Sequence, residues 1–359
     1  MQPVKITFIL PYPVVGGGQR VISIYADALQ KQGHEVTVLS QPARSIPLKR
    51  QIRSLLSGRG WARRPPKAKF FDGQDYEHRV LQRPGPVTDA DVPDGDVVIA
   101  TWWKTAEWAL HLSPSKGKKV YFVQHYEVHD HLDVDRSAAS YRLPLKKITI
   151  AQWLVDVMAD VYGDHDVALV PNGVNRQHFS APARSRQDPP TIGLIYSRAK
   201  FKGVDLSLAA IEMVRKTLPD LRVVSFGVSD WKDQAGFGKG DVYHKDPAQS
   251  DIPKLYAEMD VLVWASRSEG FGLPILEALS CGTPVVSSVS GCAPDVIEDG
   301  VNGYVVGIED VEALADKLLA VLQLSPSRWK EMSENARAST LEYDWERSAE
   351  KFERALMNL

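Results

Sequence analysis

The stretch VKITFILPYPVVGGGQRVISIYADALQKQGHEVTVLS (4–40) decides the fold. VKITFIL (4–10) is a short, unbroken apolar run, the pattern of a strand buried on both faces of a parallel sheet. A glycine turn follows. RVISIYADALQKQ then repeats apolar residues at helical spacing, Gly33 supplies a C-cap, and EVTVLS (35–40) reads as a second strand. Strand, helix and strand in that order imply a right-handed crossover and an α/β sheet.

The alternation continues through DVVIAT (96–101), KVYFVQ (119–124), KITIA (147–151) and VALVP (167–171). SAPARSRQDPP (180–190) interrupts it and reads as an interdomain linker, since its prolines suit neither a helix interior nor a central strand. The pattern then restarts with TIGLIYS, a helix from GVDLSLAAIEMVRKTLP, LRVVSFG, a helix around 252–259, DVLVWAS, a helix from Pro274, and TPVVSS. At 359 residues the chain is too long for one ordinary core. The predicted organisation is two Rossmann-like, doubly wound α/β domains, 1–178 and 179–340, facing across a cleft, with a C-terminal helix at 341–359 packing back on the first. A ligand is expected at the carboxyl ends of the strands.

Composition narrows the class. An apolar fraction of 44% with 25% charged residues is that of a soluble globular protein, and a net charge of −2 by itself predicts no partner. The two cysteines, Cys281 and Cys292, form neither a disulfide framework nor a CxxC metal site. The N-terminal apolar run is too short for a signal peptide and has no cleavage pattern after it. No window reaches the roughly 18 apolar residues that span a bilayer. A cytoplasmic enzyme is the expectation.

SRSEGFGLPILEAL (266–279) carries the densest chemistry. DVLVWAS reads as a strand, so residues 266–272 form the loop at its carboxyl end. Pro274 suits the first helical turn, where its missing N–H costs nothing. Gly270 and Gly272 permit close backbone approach, so the amides near Phe271, Gly272 and Leu273 are placed to point at an anion at a helix N-terminus. Glu277, one turn in, is placed to accept from sugar or ribose hydroxyls. The plainer alternative is an ordinary strand–turn–helix with a solvated Glu269 and a Glu277 that answers the helix dipole. YSRAKFKG (196–203), at the end of another strand, adds Arg198, Lys200 and Lys202, cations suited to stabilise a diphosphate leaving group.

These residues, continued as SRSEGFGLPILEALSCGTPVVSS, resemble the signature of retaining glycosyltransferases of the GT-B fold, in particular glycosyltransferase family 4. LVPNGVNRQHF (169–179) is similar to another segment of that family, and SGCAPDVIEDGVNGYVV (290–306) resembles a third but departs from it: Cys292 and Ala293 follow a single glycine, and Asp295 replaces glutamate. The resemblance implies two domains that bind a nucleotide-diphosphate sugar, with Glu269 on the transferred sugar, Glu277 on the ribose, and Gly270, Phe271, Gly272 and Leu273 on sugar and diphosphate. It implies leaving-group stabilisation by Arg198 and Lys202, a role Lys200 shares because the spacing from Arg198 to Lys202 is short for the family.

In the first domain, PYPVVGGGQR fails the dinucleotide fingerprint, because Val21 stands at the third glycine position. The resemblance places Gly17 or Gly18 beneath the sugar diphosphate. It also places a residue at the end of YFVQHYE on the transferred sugar, either Gln124 or His125. ATWWKTAEWA (100–109) and YFVQHYE look most like bacterial enzymes that include rhamnosyltransferases of surface-polysaccharide assembly. Trp102, Trp103 and Lys104 then either stack on an acceptor glycan or, for the tryptophans, belong to the core. His125, His129, His131 and Asp133–Asp135 lack the spacing and third-ligand context of a metal site, and none is predicted.

Residues 41–70 contain nine basic residues and no acid. Basic segment 44–69 reads either as a solvated loop or as a contact to an anionic membrane surface or a lipid-diphosphate acceptor. Nucleic acid fits less well, since aromatics there are few. Together the residues and the resemblance predict a metal-independent, cofactor-free hexosyltransferase that moves a sugar from a UDP-, GDP- or dTDP-sugar to a glycan or lipid-linked glycan; the resemblance implies retention. It is expected in the cytoplasm, at the inner face of the membrane if the basic segment makes that contact. A nucleotide-sugar epimerase, a non-catalytic glycan-binding subunit and an NAD-dependent oxidoreductase are the alternatives.

Overall fold

The apolar run at residues 4–10 becomes β1 (Lys5–Leu10), with five of its six residues buried, and it pairs in parallel with β2 (Glu35–Ser40) along its whole length. Between them, α1 (Gly17–Lys31) buries Val21, Ile22, Tyr25, Ala26 and Leu29, which recur at helical spacing on one face. The structure is a computed structural model, and it describes all residues except 1, 15, 44–45, 59, 63–68, 129–131, 232–236 and 239.

The chain continues through α2 (Leu48–Leu56), β3 (Glu77–Val80), β4 (Val97–Ala100), α3 (Trp103–Leu110), β5 (Lys118–Val123), α4 (Val134–Ser140), β6 (Lys146–Thr149), α5 (Gln152–Tyr162) and β7 (Val167–Leu169). These strands form one parallel sheet in the order β3-β2-β1-β4-β5-β6-β7. The order reverses between β1 and β4, so the loops leaving those strands diverge and open a crevice at their carboxyl ends. Gly16 leads into α1 at Gly17 after β1, and Trp102 leads into α3 at Trp103 after β4.

A second parallel sheet takes β8 (Thr191–Ile195), β9 (Arg222–Gly227), β10 (Val242–Lys245), β11 (Val261–Trp264), β12 (Val285–Ser288) and β13 (Gly303–Val306), in the order β10-β9-β8-β11-β12-β13. Its helices are α6 (Val204–Thr217), α7 (Ile252–Ala257), α8 (Leu273–Ser280), α9 (Ala293–Val296), α10 (Val311–Leu322) and α11 (Pro326–Ser339). The core joins Ile192, Leu194, Val223, Val261 and Val263 to Ile211, Leu318 and Trp329. Here the order reverses between β8 and β11, whose loops hold residues 196–203 and 265–272. Both segments singled out in the sequence thus leave strands at one switch point.

The chain divides into two Rossmann-like α/β units: Met1–Ile150, Leu154–Val170 and Ala349–Leu359 form one, and Ala151–Trp153 with Pro171–Ser348 the other. The last helix, α12 (Trp345–Met357), changes unit at Ala349. Its Phe352 is fully buried in the first unit, 4.5 Å from the Tyr25 ring and 5.0 Å from Phe122. His34 Nε2 meets Glu353 Oε1 at 2.9 Å, both residues buried.

Residues 180–190 are irregular, yet they lie wholly inside the second unit. Arg184 donates to Thr283 Oγ1 at 3.1 Å and to the Met259 carbonyl, and stacks over Trp329 at 4.7 Å. Buried Asp260 accepts the N–H groups of Gln187 at 2.7 Å and Thr191 at 2.8 Å. The stretch expected as a linker is a strap bonded to its own unit, because its polar side chains and amides find buried partners there.

Candidate functional site

The second unit assembles its site from two loops that touch. The turn Lys200–Lys202 is a single 3-10 turn closed by Gly203 in the left-handed region (φ 61°). A Cβ at Gly203 would stand 1.8 Å from the Ala265 carbonyl oxygen, so only glycine lets the turn seat on the end of β11. The Phe201 carbonyl accepts from Ser266 Oγ at 2.8 Å and from the Arg267 N–H at 2.7 Å.

This seating brings Lys202 onto Glu269. The ammonium stands 2.7 and 2.9 Å from the two carboxylate oxygens, and Ser266 Oγ donates to Oε1 at 2.8 Å. Glu269 is 7% exposed. A buried carboxylate held by two donors is fixed in orientation and keeps acceptor capacity for a hydroxyl. Arg198 and Lys200 are both exposed, and Arg198 donates to the Asp230 carbonyl at 2.7 Å. Of the three predicted cations, Lys202 alone is bonded to Glu269; Arg198 and Lys200 are exposed on the same loop.

A fourth cation escaped the sequence reading. Arg267 grips Asp205 in a bidentate pair at 2.9 and 2.8 Å, reaches Glu309 at 2.6 Å, and donates to the Lys200 carbonyl at 2.8 Å. The Arg267 guanidinium holds the Asp205 carboxyl below its ordinary value. Arg267 therefore ties the cationic turn to the glutamate loop from behind. Its position directly before SEGFG was visible, but partners more than forty residues away were not.

The turn after Glu269 is fixed through its carbonyls. Trp153, which counts with the second unit, donates through Nε1 to the Gly270 carbonyl at 3.0 Å, and the Cys292 N–H donates to the Phe271 carbonyl at 2.7 Å. Gly291 (φ 58°) packs so tightly here that its Cβ would lie 2.2 Å from that carbonyl oxygen. The loop that departs from the family pattern thus buttresses the turn. Gly272 precedes α8, with Pro274 in its first turn. Among the described residues, the N–H groups of Phe271, Gly272 and Leu273 donate to no backbone carbonyl outside the regular elements. The orphan donors and the helix dipole favour an anion at this end. Glu277, half-buried, accepts from the Tyr256 hydroxyl at 3.1 Å.

In the first unit, α1 begins at Gly17 after an extended Gly16, with no side-chain cap and no acid in its first turn. Gln124 faces this turn: a Cβ on Gly18 would stand 3.5 Å from its Oε1. The His125 ring is directed to the Tyr126 carbonyl, 3.0 Å from Nδ1. Among the described residues, Gln19 Oε1, Gln124 Oε1 and Trp103 Nε1 are buried without a hydrogen-bond partner. Trp103 is 1% exposed and so belongs to the core rather than to a stacking platform. Trp102 is half-buried, and the Lys104 ammonium lies 5.3 Å from its ring and 4.7 Å from that of Trp103.

Glu127 is a further residue the sequence did not single out. Burial pushes its carboxyl up to about 7, against a smaller opposing effect of the Trp103 backbone N–H. Its own N–H donates to the Tyr141 hydroxyl at 2.8 Å. A lone acid two residues past His125 carries no sequence signal of burial. Among the described residues no group of three His, Cys, Asp or Glu is placed to hold a metal, and His129 and His131 lie outside them. No helix of the described residues is long and apolar enough to cross a membrane.

Comparison with known proteins bears on the family and the fold. Residues 15–178 match the family described as Glycosyltransferase Family 4, and residues 175–339 match Glycosyl transferases group 1. The chain is 32% identical over 208 residues to a sulfoquinovosyl transferase of Arabidopsis thaliana, covering 54% of this chain and 40% of that protein. It is 29% identical over 168 residues to a GDP-mannose-dependent phosphatidylinositol monomannoside mannosyltransferase of Mycolicibacterium smegmatis, covering 40% and 44%. The chain thus spans less than half the length of these curated relatives. In fold it is similar to Anabaena HepE, solved with UDP, at a TM-score of 0.75 and 16% identity over 99% of this chain and 100% of that one. Two parallel-sheet units, with a Family 4 region followed by a group 1 region, place the chain among the GT-B glycosyltransferases of family 4 type.

Proposed function

We propose that the protein transfers a hexosyl group from a nucleotide-diphosphate sugar to an acceptor hydroxyl, with retention and without a metal. The observation that carries this reading is the Lys202–Glu269 pair beside the unbonded amides at the start of α8. Glu269, locked by Lys202 and Ser266, accepts from a hydroxyl of the transferred sugar. The Gly270–Leu273 backbone binds sugar and diphosphate, and Glu277 binds the ribose. Lys202, Arg198 and Lys200 offset the charge that develops on the leaving diphosphate. The roles of Gly17, Gly18 and the Gln124–His125 pair, toward the phosphates and the transferred sugar, rest on the resemblance alone.

The anomeric carbon–phosphate bond breaks on the face at which the acceptor oxygen bonds. The departing phosphate oxygen takes the acceptor's proton, so no protein base is required. A relative named for GDP-mannose and a neighbour solved with UDP support a UDP- or GDP-sugar donor, with a dTDP-sugar such as a rhamnosyl donor as the third class. The relative named for phosphatidylinositol monomannoside supports a glycan or lipid-linked glycan acceptor of polysaccharide or glycolipid assembly.

The test is a panel of nucleotide-sugars assayed for free nucleoside diphosphate with and without glycan acceptors. Acceptor-dependent release, with the product's anomeric configuration matching the donor's by NMR, is the expected result. Interconversion of the sugar without release would instead establish an epimerase, and absence of any turnover across the panel would leave a binding protein.

A further inference from the structure

Helix α2 (Leu48–Leu56) is the one helix of eight or more described residues that buries nothing at all. Leu48, Ile52, Leu55 and Leu56 recur at the spacing of a single helical face, and they are 70%, 48%, 42% and 85% exposed. Trp61, 65% exposed, follows on the returning chain. Lys49 and Arg53 flank that face on one edge and Arg50 lies on the far side of the helix; all three are exposed, and among the described residues none has an ion-pair partner.

The polar edge of the helix is already occupied by its own continuation. Gln51 accepts the Ala62 N–H at 2.9 Å and donates to the Ala62 carbonyl at 3.3 Å, while Ser54 Oγ donates to the Gly60 carbonyl at 2.7 Å. These ties hold the returning chain on one side and leave the apolar face open. A nine-residue helix is marginal in water on its own, and helices ordinarily gain their stability by packing an apolar face. Here that packing partner has to come from outside the described chain.

We infer that α2 is an interfacial helix that lays Leu48, Ile52, Leu55 and Leu56 into the surface of an anionic lipid bilayer, with Lys49 and Arg53 at the headgroups. Charge complementarity selects this occupant. Residues 41–70 hold nine basic residues and no acid, which suits a negative surface. A second copy is disfavoured, because a two-fold contact through this face would bring the flanking Lys49 and Arg53 of the two copies together. A lipid surface satisfies both halves of the helix at once, taking the apolar face into the acyl boundary and the cations onto phosphate.

Co-sedimentation of the full chain with extruded phosphatidylcholine vesicles, with and without phosphatidylglycerol, tests the inference independently of sugar transfer. Binding is expected only with phosphatidylglycerol and should weaken as ionic strength rises. I52E together with L56E should reduce it about 10²-fold, and K49Q with R53Q by about 30-fold. Because α2 buries no core residue, both variants should keep the wild-type melting temperature. Unchanged vesicle binding in either variant, or equal binding to neutral vesicles, overturns the inference. So does a concentration-dependent dimer that I52E and L56E dissolve while the wild type ignores vesicles.

Discussion

The two switch points of the molecule are built in opposite ways. In the second unit the charged groups meet partners before any ligand arrives: Lys202 holds Glu269, and Arg267 holds Asp205 and Glu309. In the first unit the corresponding strand ends carry buried polar atoms left without partners, Gln19 Oε1, Gln124 Oε1 and Trp103 Nε1, around an uncapped helix start. Preorganised charge costs nothing to arrange at the moment of reaction, whereas an unsatisfied buried polar atom costs stability until something bonds to it. The charged side of the second site is thus finished, although Trp264 Nε1 at the end of β11 is also buried without a partner; the first gathers three such atoms around its helix start.

The largest effects should come from breaking the finished side. Lys202→Met removes the cation from a buried carboxylate, and about a 10²- to 10³-fold loss of nucleoside diphosphate release is expected. Arg198→Ala should lose about 10²-fold if its guanidinium turns to the leaving group. Turnover at wild-type rates in either variant would remove that residue from the site.

Glu127 gives the next effect, and it appears in stability. Its folded-state pKa, about 7, lies above the ordinary 4.5, so between those values the folded chain holds more of the proton than the unfolded one. Stability must therefore fall as pH rises through that window, by at most about 3 kcal/mol, and stay low above it. Glu127→Gln keeps an acceptor for the Trp103 N–H and should melt higher than the wild type above pH 7. Equal pH profiles of the two melting temperatures would show that the carboxyl is not buried in this way.

Smaller changes sharpen the contrast. Glu277→Ala should weaken nucleoside diphosphate binding about tenfold by calorimetry, the loss of a hydroxyl-to-carboxylate bond. Gln124→Met replaces an orphaned amide with an apolar chain of similar length. It should raise stability by about 1 kcal/mol while lowering turnover, and a variant that is less stable would mean that the amide already has a partner.

The same contrast decided how far the sequence could be read. Apolar runs such as VKITFIL and DVLVWAS announced central strands, and Pro274 after Gly272 announced the start of α8. Two edge strands were silent, although the edge strand β7 was legible as VALVP. β3 and β10 have no fully buried residue, so EHRV and VYHK show no apolar pattern. Residues 180–190 looked like a linker because proline and charge mark irregular chain, while the buried partners of Arg184 and Gln187 lie some seventy or more residues away. Glu269 and Lys202 were legible as a site because both stand beside glycines whose positions only a tight seating explains. Trp103 was not, since a tryptophan after a strand reads the same whether it faces a ligand or the core.

The division of α12 has a consequence for how the protein is made. Phe352 completes the aromatic centre of the first unit, yet it emerges from the ribosome only after every residue of Pro171–Ser348. Domains usually fold in the order of synthesis. Here the unit that starts the chain must wait, its β1 and α1 facing an unfilled place beside Tyr25, while the later unit can close first. A nascent chain stalled before Ala349 should accordingly expose the early unit to chaperones and proteases while the late one is already protected.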